Sequence, residues 1–357
     1  MGSPRVALIS DDLTGALDAA APFALAGWRT VVATAPRHLA AALAADGEIL
    51  ALSLNSRDIA GEDAGARAAE AAGALAGVPV LFKKIDSRLK GHVGRESSMV
   101  AALRGLSRIV ICPAIPELGR IVRGGALQGA GVAQPLPVAA LAAVPAGFAA
   151  TCPDAVTDAD LDRIVAMSKG ALLVGARGLA AALARSLGPA PEPSRAGGAL
   201  SLPIAFVIGS RDPITLAQID PMCGLAAPLG LRRIAAPDGI VEDAGPRQPV
   251  TVLQAVPGGG AEQAVVAERL AGGAVRDVLP GQRSLVLTGG ETAAAVLRKM
   301  GVGVLHILAE VEPGLPISLP LDFPGALTIV TKSGGFGDAG CLFRILQRAA
   351  TNGNHMP

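Results

Sequence analysis

Val6-Ala7-Leu8-Ile9 runs directly into Ser10-Asp11-Asp12-Leu13-Thr14-Gly15-Ala16-Leu17-Asp18. A short apolar run without polar alternation reads as a strand covered on both faces, as in parallel sheets with crossover helices. The polar segment after it reads as the turn into a helix. Two adjacent carboxylates, then a capping Thr14 and Gly15, place an acid at the carboxyl end of the strand, above a helix N-terminus. A carboxylate there is placed either to take a proton from a substrate hydroxyl or simply to cap the helix and meet its dipole.

The same rhythm continues outward from this passage. Further strands are expected at 30–33, 49–53, 80–84, 108–112 and 171–174, with Ala-rich helical segments such as 61–76 between them. Gly, Pro and Ser then cluster around Gly188-Pro189-Ala190-Pro191-Glu192-Pro193-Ser194, and a second series follows at 204–208, 251–256, 284–287, 304–308 and 327–331. Strand–helix alternation implies mostly parallel sheets flanked by helices. The expected organisation is α/β with two domains, 1–188 and 204–350, joined by a linker at 189–203. At 357 residues, two cores are also the ordinary outcome.

Composition excludes several classes. Aromatic residues are 2% and Tyr is absent, which leaves little on which nucleic-acid bases could stack. A net charge of +1 provides no field toward DNA or a membrane surface. The uncharged stretch 124–152 is broken by prolines and glycines, so it reads as a buried or poorly ordered Ala-rich connection rather than a membrane span. The chain enters its first strand without the basic and apolar regions of a signal peptide. The cysteines (112, 152, 223, 341) show no CxxC spacing, which fits a reducing cytoplasm and no structural zinc.

In open α/β sheets, ligands gather at the carboxyl ends of strands. Lys83-Lys84-Ile85-Asp86-Ser87-Arg88-Leu89-Lys90-Gly91 lies at such an end. From 83 to 123 nine Lys or Arg face three acids, in a nearly neutral chain. This excess reads as an anion site, with Lys83, Arg88 and Lys90 its best members and Asp86 its counter-ion. Arg104 and Arg108 read instead as solvated helix-surface charges, and His92 as a packing, surface or substrate residue. Cys112-Pro113-Ala114-Ile115-Pro116-Glu117-Leu118-Gly119-Arg120 follows the next strand and ends in a cation. In the second half, Gly209-Ser210-Arg211-Asp212-Pro213-Ile214-Thr215, Thr288-Gly289-Gly290-Glu291-Thr292-Ala293 and Lys332-Ser333-Gly334-Gly335-Phe336-Gly337-Asp338 each leave a strand. Singly such loops serve geometry as often as ligands. Three in one domain favour a phosphate cradle. No GxxxxGK[ST] occurs, and no GxGxxG follows the first strand, so P-loop and Rossmann dinucleotide signatures are both missing. No His lies in a hydrolase or metalloprotease motif.

Together, DDLTGALD (11–18), KKIDSRLKG (83–91), PAIPELGR (113–120), GSRDPIT (209–215), TGGETA (288–293) and KSGGFGD (332–338) resemble the four-carbon acid sugar kinase family. The resemblance spans nearly the whole chain in order. It implies an N-terminal substrate domain and a C-terminal nucleotide domain, with the active site in the cleft between them. It also implies ATP held by Ser210, Gly289, Gly290, Glu291, Thr292, Gly334 and Gly335. The sugar acid would sit against Asp11, Asp86, Arg88, Lys90 and Arg120, with Asp12 as general base. Mg²⁺ is expected with the nucleotide, its protein ligands unassigned beyond Glu291 and Asp338 as candidates. The expected partners are a sugar acid and ATP, with no nucleic acid and no membrane, and a homodimer as the assembly. Three departures stand out: Arg88 and Lys90 occupy positions where the family usually has Thr and Arg; Ile121–Gly125 replaces a Thr-rich turn; and the region 135–155 is shortened, with no DPxxP-like segment after it, which bears on substrate identity. A non-catalytic sensor and an NAD-linked oxidoreductase are the rival readings.

Overall fold

The computed structural model describes residues 3–191, 199–243 and 245–353. The chain divides into two compact units, Met1–Arg195 and Ala196–Pro357. Within the expected linker, residues 192–198 lie outside the described residues.

The first unit carries β1 (Val6–Ser10), β2 (Thr30–Ala33), β3 (Ile49–Ser53), β4 (Val80–Lys84), β5 (Arg108–Cys112), β6 (Arg120–Arg123), β7 (Ala126–Gly129), β8 (Leu136–Pro137), β9 (Ala149–Thr151) and β10 (Leu172–Gly175). Its helices are α1 (Leu13–Leu25), α2 (Leu39–Ala44), α3 (Gly61–Ala74), α4 (Val93–Leu103), α5 (Val138–Ala142), α6 (Asp158–Met167) and α7 (Arg177–Leu187). The main sheet runs β2-β3-β1-β4-β10-β5-β9, parallel throughout. β1 is completely buried, and each large apolar side chain sequestered this way contributes about 1.5–3 kcal/mol. Ser10 pairs in register with both Ser53 and Lys84, and Gly175 with both Lys84 and Cys112. The carboxyl ends of these strands therefore form one level rim.

The stretch 124–152 corrects its expectation. It is largely exposed rather than buried, and it is ordered into β7, β8, α5 and β9. β6, β7 and β8 form a small antiparallel sheet. These strands are too short and too Gly-rich to show a pattern of period two.

The second unit carries β11 (Ile204–Ile208), β12 (Leu231–Pro237), β13 (Val250–Val256), β14 (Ser284–Thr288), β15 (Val304–Glu312), β16 (Leu315–Pro320) and β17 (Thr328–Lys332). Its helices are α8 (Pro213–Ala217), α9 (Ile219–Gly230), α10 (Gln263–Gly273), α11 (Gly290–Met300) and α12 (Cys341–Gly353). Its sheet runs β12-β13-β11-β14-β17-β16-β15. The first five are parallel, and β16 is antiparallel to both its neighbours. Phe206 and Ile208 pack with Met222 from α9 and Ile345 and Leu346 from α12. Ile208, Thr288 and Lys332 share one level across adjacent strands, so the three Gly-rich loops leave the sheet side by side. No helix among the described residues is long and apolar enough to cross a membrane.

Candidate active site

In the first unit the site grows from the rim of β1, β3 and β4. Asp12 ends the turn after β1 and caps α1: its Oδ1 accepts the Gly15 N–H at 2.8 Å and its Oδ2 accepts the Thr14 hydroxyl at 2.8 Å. The capping geometry is thus real. Arg57, from the loop after β3, donates through Nε and Nη2 to both oxygens of Asp11 at 2.8 and 3.1 Å. Its Nη1 lies 2.9 Å from Asp12 Oδ2. One guanidinium thereby fixes both carboxylates, using the fork geometry that suits Arg to this work. Burial raises the Asp11 carboxyl, but Arg57, Lys83 and Lys84 together outweigh it and hold the group below its ordinary value. Arg57 is itself held more firmly protonated: burial opposes, while Asp12 and Asp11 prevail.

The basic segment divides by strand parity, since successive side chains point to opposite faces. Lys83 is fully buried, 2.7 Å from Glu96 Oε2 on α4, and donates to the Lys84 carbonyl. Ser56 donates to the other Glu96 oxygen at 2.6 Å. Lys83 is therefore part of a buried structural pair, not of the anion site expected for it. Lys84 faces the other way. A Cβ built on Gly15 would meet its Nζ, Ser10 Oγ and Asp12 Oδ1 within 2.8 Å, so these three groups converge where a side chain is missing. Ser10 Oγ is buried without a hydrogen-bond partner among the described residues.

Asp86 organises the loop through one of its two oxygens. Its Oδ1 accepts the Arg88 N–H at 2.9 Å and the Lys90 N–H at 3.4 Å, leaving both cationic side chains exposed. Gly91 lies against Asp11, its notional Cβ 3.1 Å from Oδ2. Arg120, buried at the start of β6, donates to Ser87 Oγ at 2.6 Å and to the Ala130 carbonyl at 2.9 Å. Burial, with Arg88 nearby, lowers its pKa against the pull of Asp86 and Asp18. The structure thus gathers Asp11, Asp12, Asp86, Arg88, Lys90 and Arg120 around adjacent loops of one rim. The remaining cations disperse: Arg104 binds carbonyls at 76, 78 and 79, Arg108 reaches the Lys169 carbonyl, and Arg95 pairs with Glu62. His92 is tied to the Ile59 carbonyl at 2.7 Å.

In the second unit, Ser210, Gly289–Thr292 and Gly334–Gly335 occupy the neighbouring ends of β11, β14 and β17. A Cβ on Gly209 would fall 1.8 Å from Thr292 Oγ1, and one on Gly334 would fall 2.4 Å from Ser210 Oγ. Both glycines are needed for this approach. Gly289, at φ 92°, turns the chain into α11. The first-turn N–H groups of this helix have no i−4 carbonyl to bind, and Glu291 is exposed on that turn. Asp338 is bound to Arg344 at 2.8 Å, which holds its carboxyl below the ordinary value. Among the described residues no three His, Cys, Asp or Glu side chains group as metal ligands. A cavity of about 400 Å³ lined by Leu279, Pro280, Gln282, Met300, Phe323 and Leu327 opens at the amino ends of β14 and β17, away from these loops.

Sequence reasoning missed Arg57, which lies outside the basic segment, and left Lys84 and Ser10 without a role. All three occupy strand ends or the loops after them, and that placement is the signal by which they could have been found.

Residues 6–139 match the model of a sugar-binding N-terminal domain, and residues 240–342 that of a nucleotide-binding C-terminal domain. A D-threonate kinase of Cupriavidus necator is 32% identical over 95% of this chain and 97% of its own. A 3-oxo-tetronate kinase of Methylobacterium radiotolerans is 28% identical over 96% of this chain and 98% of its own. Among solved structures, Haemophilus influenzae protein HI1011 superposes with a TM-score of 0.67 at 20% identity, covering 96% of this chain and 99% of that one; at that identity the likeness shows the fold.

Proposed function

The chain belongs to the four-carbon acid sugar kinase family, and from that premise we propose that it transfers the γ-phosphoryl group of ATP to a hydroxyl of a four-carbon sugar acid. The observation that carries the reading is the alignment of three Gly-rich loops on adjacent strand ends in one unit, with a carboxylate and cation rim in the other. D-Threonate is the first substrate to try, since a relative of that name shares 32% identity.

The second unit would hold the nucleotide. Amides at the start of α11, Ser210 Oγ and the Gly334–Gly335 turn present donors and a helix dipole to phosphate oxygens. Mg²⁺ neutralises charge on the β- and γ-phosphates in such transfers. It would arrive with the nucleotide, Glu291 on the first turn of α11 being the carboxylate beside the phosphate loops.

The first unit would hold the acid. Exposed Arg88 and Lys90 are placed to meet the substrate carboxylate, while Asp86 fixes the loop that presents them. Asp12 would accept the hydroxyl proton. An ionised carboxylate has about four acceptor sites. Gly15 N–H, Thr14 Oγ1 and Arg57 use three on Asp12, which leaves one for the substrate. Transfer itself is then chiefly positioning and electrostatics.

Coupled ADP release on D-threonate, D-erythronate and their 3-oxo counterparts tests the proposal. Turnover is expected on at least one of these acids. Asp12→Asn should lower kcat by about 100-fold or more, the usual worth of a general base, with ATP affinity intact. Binding without ADP release on any four-carbon acid would favour a sensor and overturn the kinase reading; unchanged kcat in the variant would remove Asp12 from the mechanism.

A further inference from the structure

Lys332 closes β17 with its side chain fully buried, although no carboxylate among the described residues lies within 4 Å of its Nζ and Asp212 acts on it only from farther away. A buried ammonium without such a partner is costly and needs a reason. Its Nζ donates to Thr215 Oγ1 at 2.8 Å, to the Gly334 carbonyl at 3.2 Å and to the Ser333 carbonyl at 3.3 Å. An ammonium has three N–H donors, so the three acceptors match it. Thr215 Oγ1 in turn donates to the Gly334 carbonyl at 2.7 Å, which staples the turn to α8.

The consequence follows from peptide planarity. In a trans peptide the N–H points opposite to the preceding C=O. Drawing the Ser333 and Gly334 carbonyls inward onto Lys332 therefore turns the Gly334 and Gly335 N–H groups outward. Consecutive amides presented together, with a positive charge behind them, form an anion-binding concavity. Gly334 is also the residue whose missing side chain leaves room beside Ser210 Oγ.

We propose that Lys332 is a positioning residue of the nucleotide site, holding the 333–335 turn so that its amides face a phosphate and placing a cation beneath it without touching the nucleotide. This rests on the nucleotide reading of the second unit. The charge also responds to pH. Burial lowers the Lys332 pKa to about 8, against the opposing pull of Cys341 and Asp212. Burial pushes the Cys341 thiol up to about 12, with Glu312 reinforcing and Lys332 and Arg344 opposing, so the thiol is not the group that titrates near 8. Above that pH a neutral amine offers two N–H groups to three acceptors and no charge. Nucleotide affinity should then fall as pH rises, and binding of a phosphate anion near pH 8 should draw a proton onto Lys332.

The test is calorimetric binding of ATP-Mg²⁺ to the full chain, between about pH 7 and about pH 9.5, in buffers of different ionisation enthalpy. Wild type should weaken by about tenfold across this range, with proton uptake near its middle. Lys332→Met should bind about tenfold more weakly at neutral pH, lose the pH dependence and keep its sugar-acid affinity. Thr215→Val should weaken binding by about threefold and keep the pH dependence. A folded Lys332→Met protein within about twofold of wild type overturns the proposal. If that variant does not fold, wild type with a flat profile and no proton uptake overturns it as decisively. Wild type that binds no ATP-Mg²⁺ at all overturns the nucleotide reading, and this inference with it.

Discussion

Lys83 and Lys84 are adjacent in sequence and opposite in role, and only the parity of β4 separates them. A count of charges from 83 to 123 sees the excess, but it does not see which face of the sheet each side chain joins. Lys83 goes to Glu96, and its burial makes the pair a matter of stability. Lys83→Met should therefore cost about 3–5 kcal/mol, because Glu96 is left buried with Ser56 as its remaining side-chain partner among the described residues. Adding Glu96→Leu should recover much of that loss, since a buried pair replaced by apolar groups is often neutral. Urea titration of the single and double variants measures both. A single variant of wild-type stability with weakened sugar-acid binding would return Lys83 to the anion site. Arg57 shows the converse limit. One Arg in a polar loop carries no signal by composition, yet it fixes Asp11 and Asp12 together.

The strand ends were readable because buried parallel strands are written as bare apolar runs. Most expected strands match the structure to within a residue or so, from β1 to β17, although β15 runs on to Glu312. The elements that escaped obey other rules. β12 is an edge strand with arginines at 232 and 233, and β16 contains prolines at 316 and 320, which ordinarily argue against an interior strand. The Gly-rich loops were legible as loops, but their mutual contact was not, because it depends on the strand order β11-β14-β17. That contact gives the glycines a specific test. Gly209→Ala and Gly334→Ala should each weaken ATP-Mg²⁺ binding by about tenfold, since the added carbon would displace Thr292 or Ser210. Gly224→Ala is the control: it lies inside α9 with open space around its notional Cβ, and should stabilise by about 0.5–1 kcal/mol. Titration calorimetry and thermal unfolding of the three variants check this. Equal effects at all three positions would mean that helix and loop propensity, not close approach, governs the loops.

On the scale of the molecule, two units with unlike chemistry share a chain whose net charge is only +1. Global charge therefore says nothing about ligands, and the division of labour rests on where each unit concentrates its donors. The first places cations and carboxylates on one rim. The second places glycine turns and the N-terminus of an 11-residue helix on another. A ligand that orders a loop suppresses its local opening, and amide exchange reports that opening segment by segment. ATP-Mg²⁺ should protect 209–215, 289–293 and 333–338 while leaving 11–15, 54–58 and 86–92 near their unliganded rates. The sugar acid alone should do the reverse. Hydrogen exchange read by mass spectrometry on the full chain, with each ligand in turn at about 100 times its dissociation constant, measures the pattern directly. Protection of the first unit's loops by ATP-Mg²⁺ alone would place the nucleotide on the wrong unit, and the roles assigned to the Gly-rich loops and to Lys332 would both fall with it.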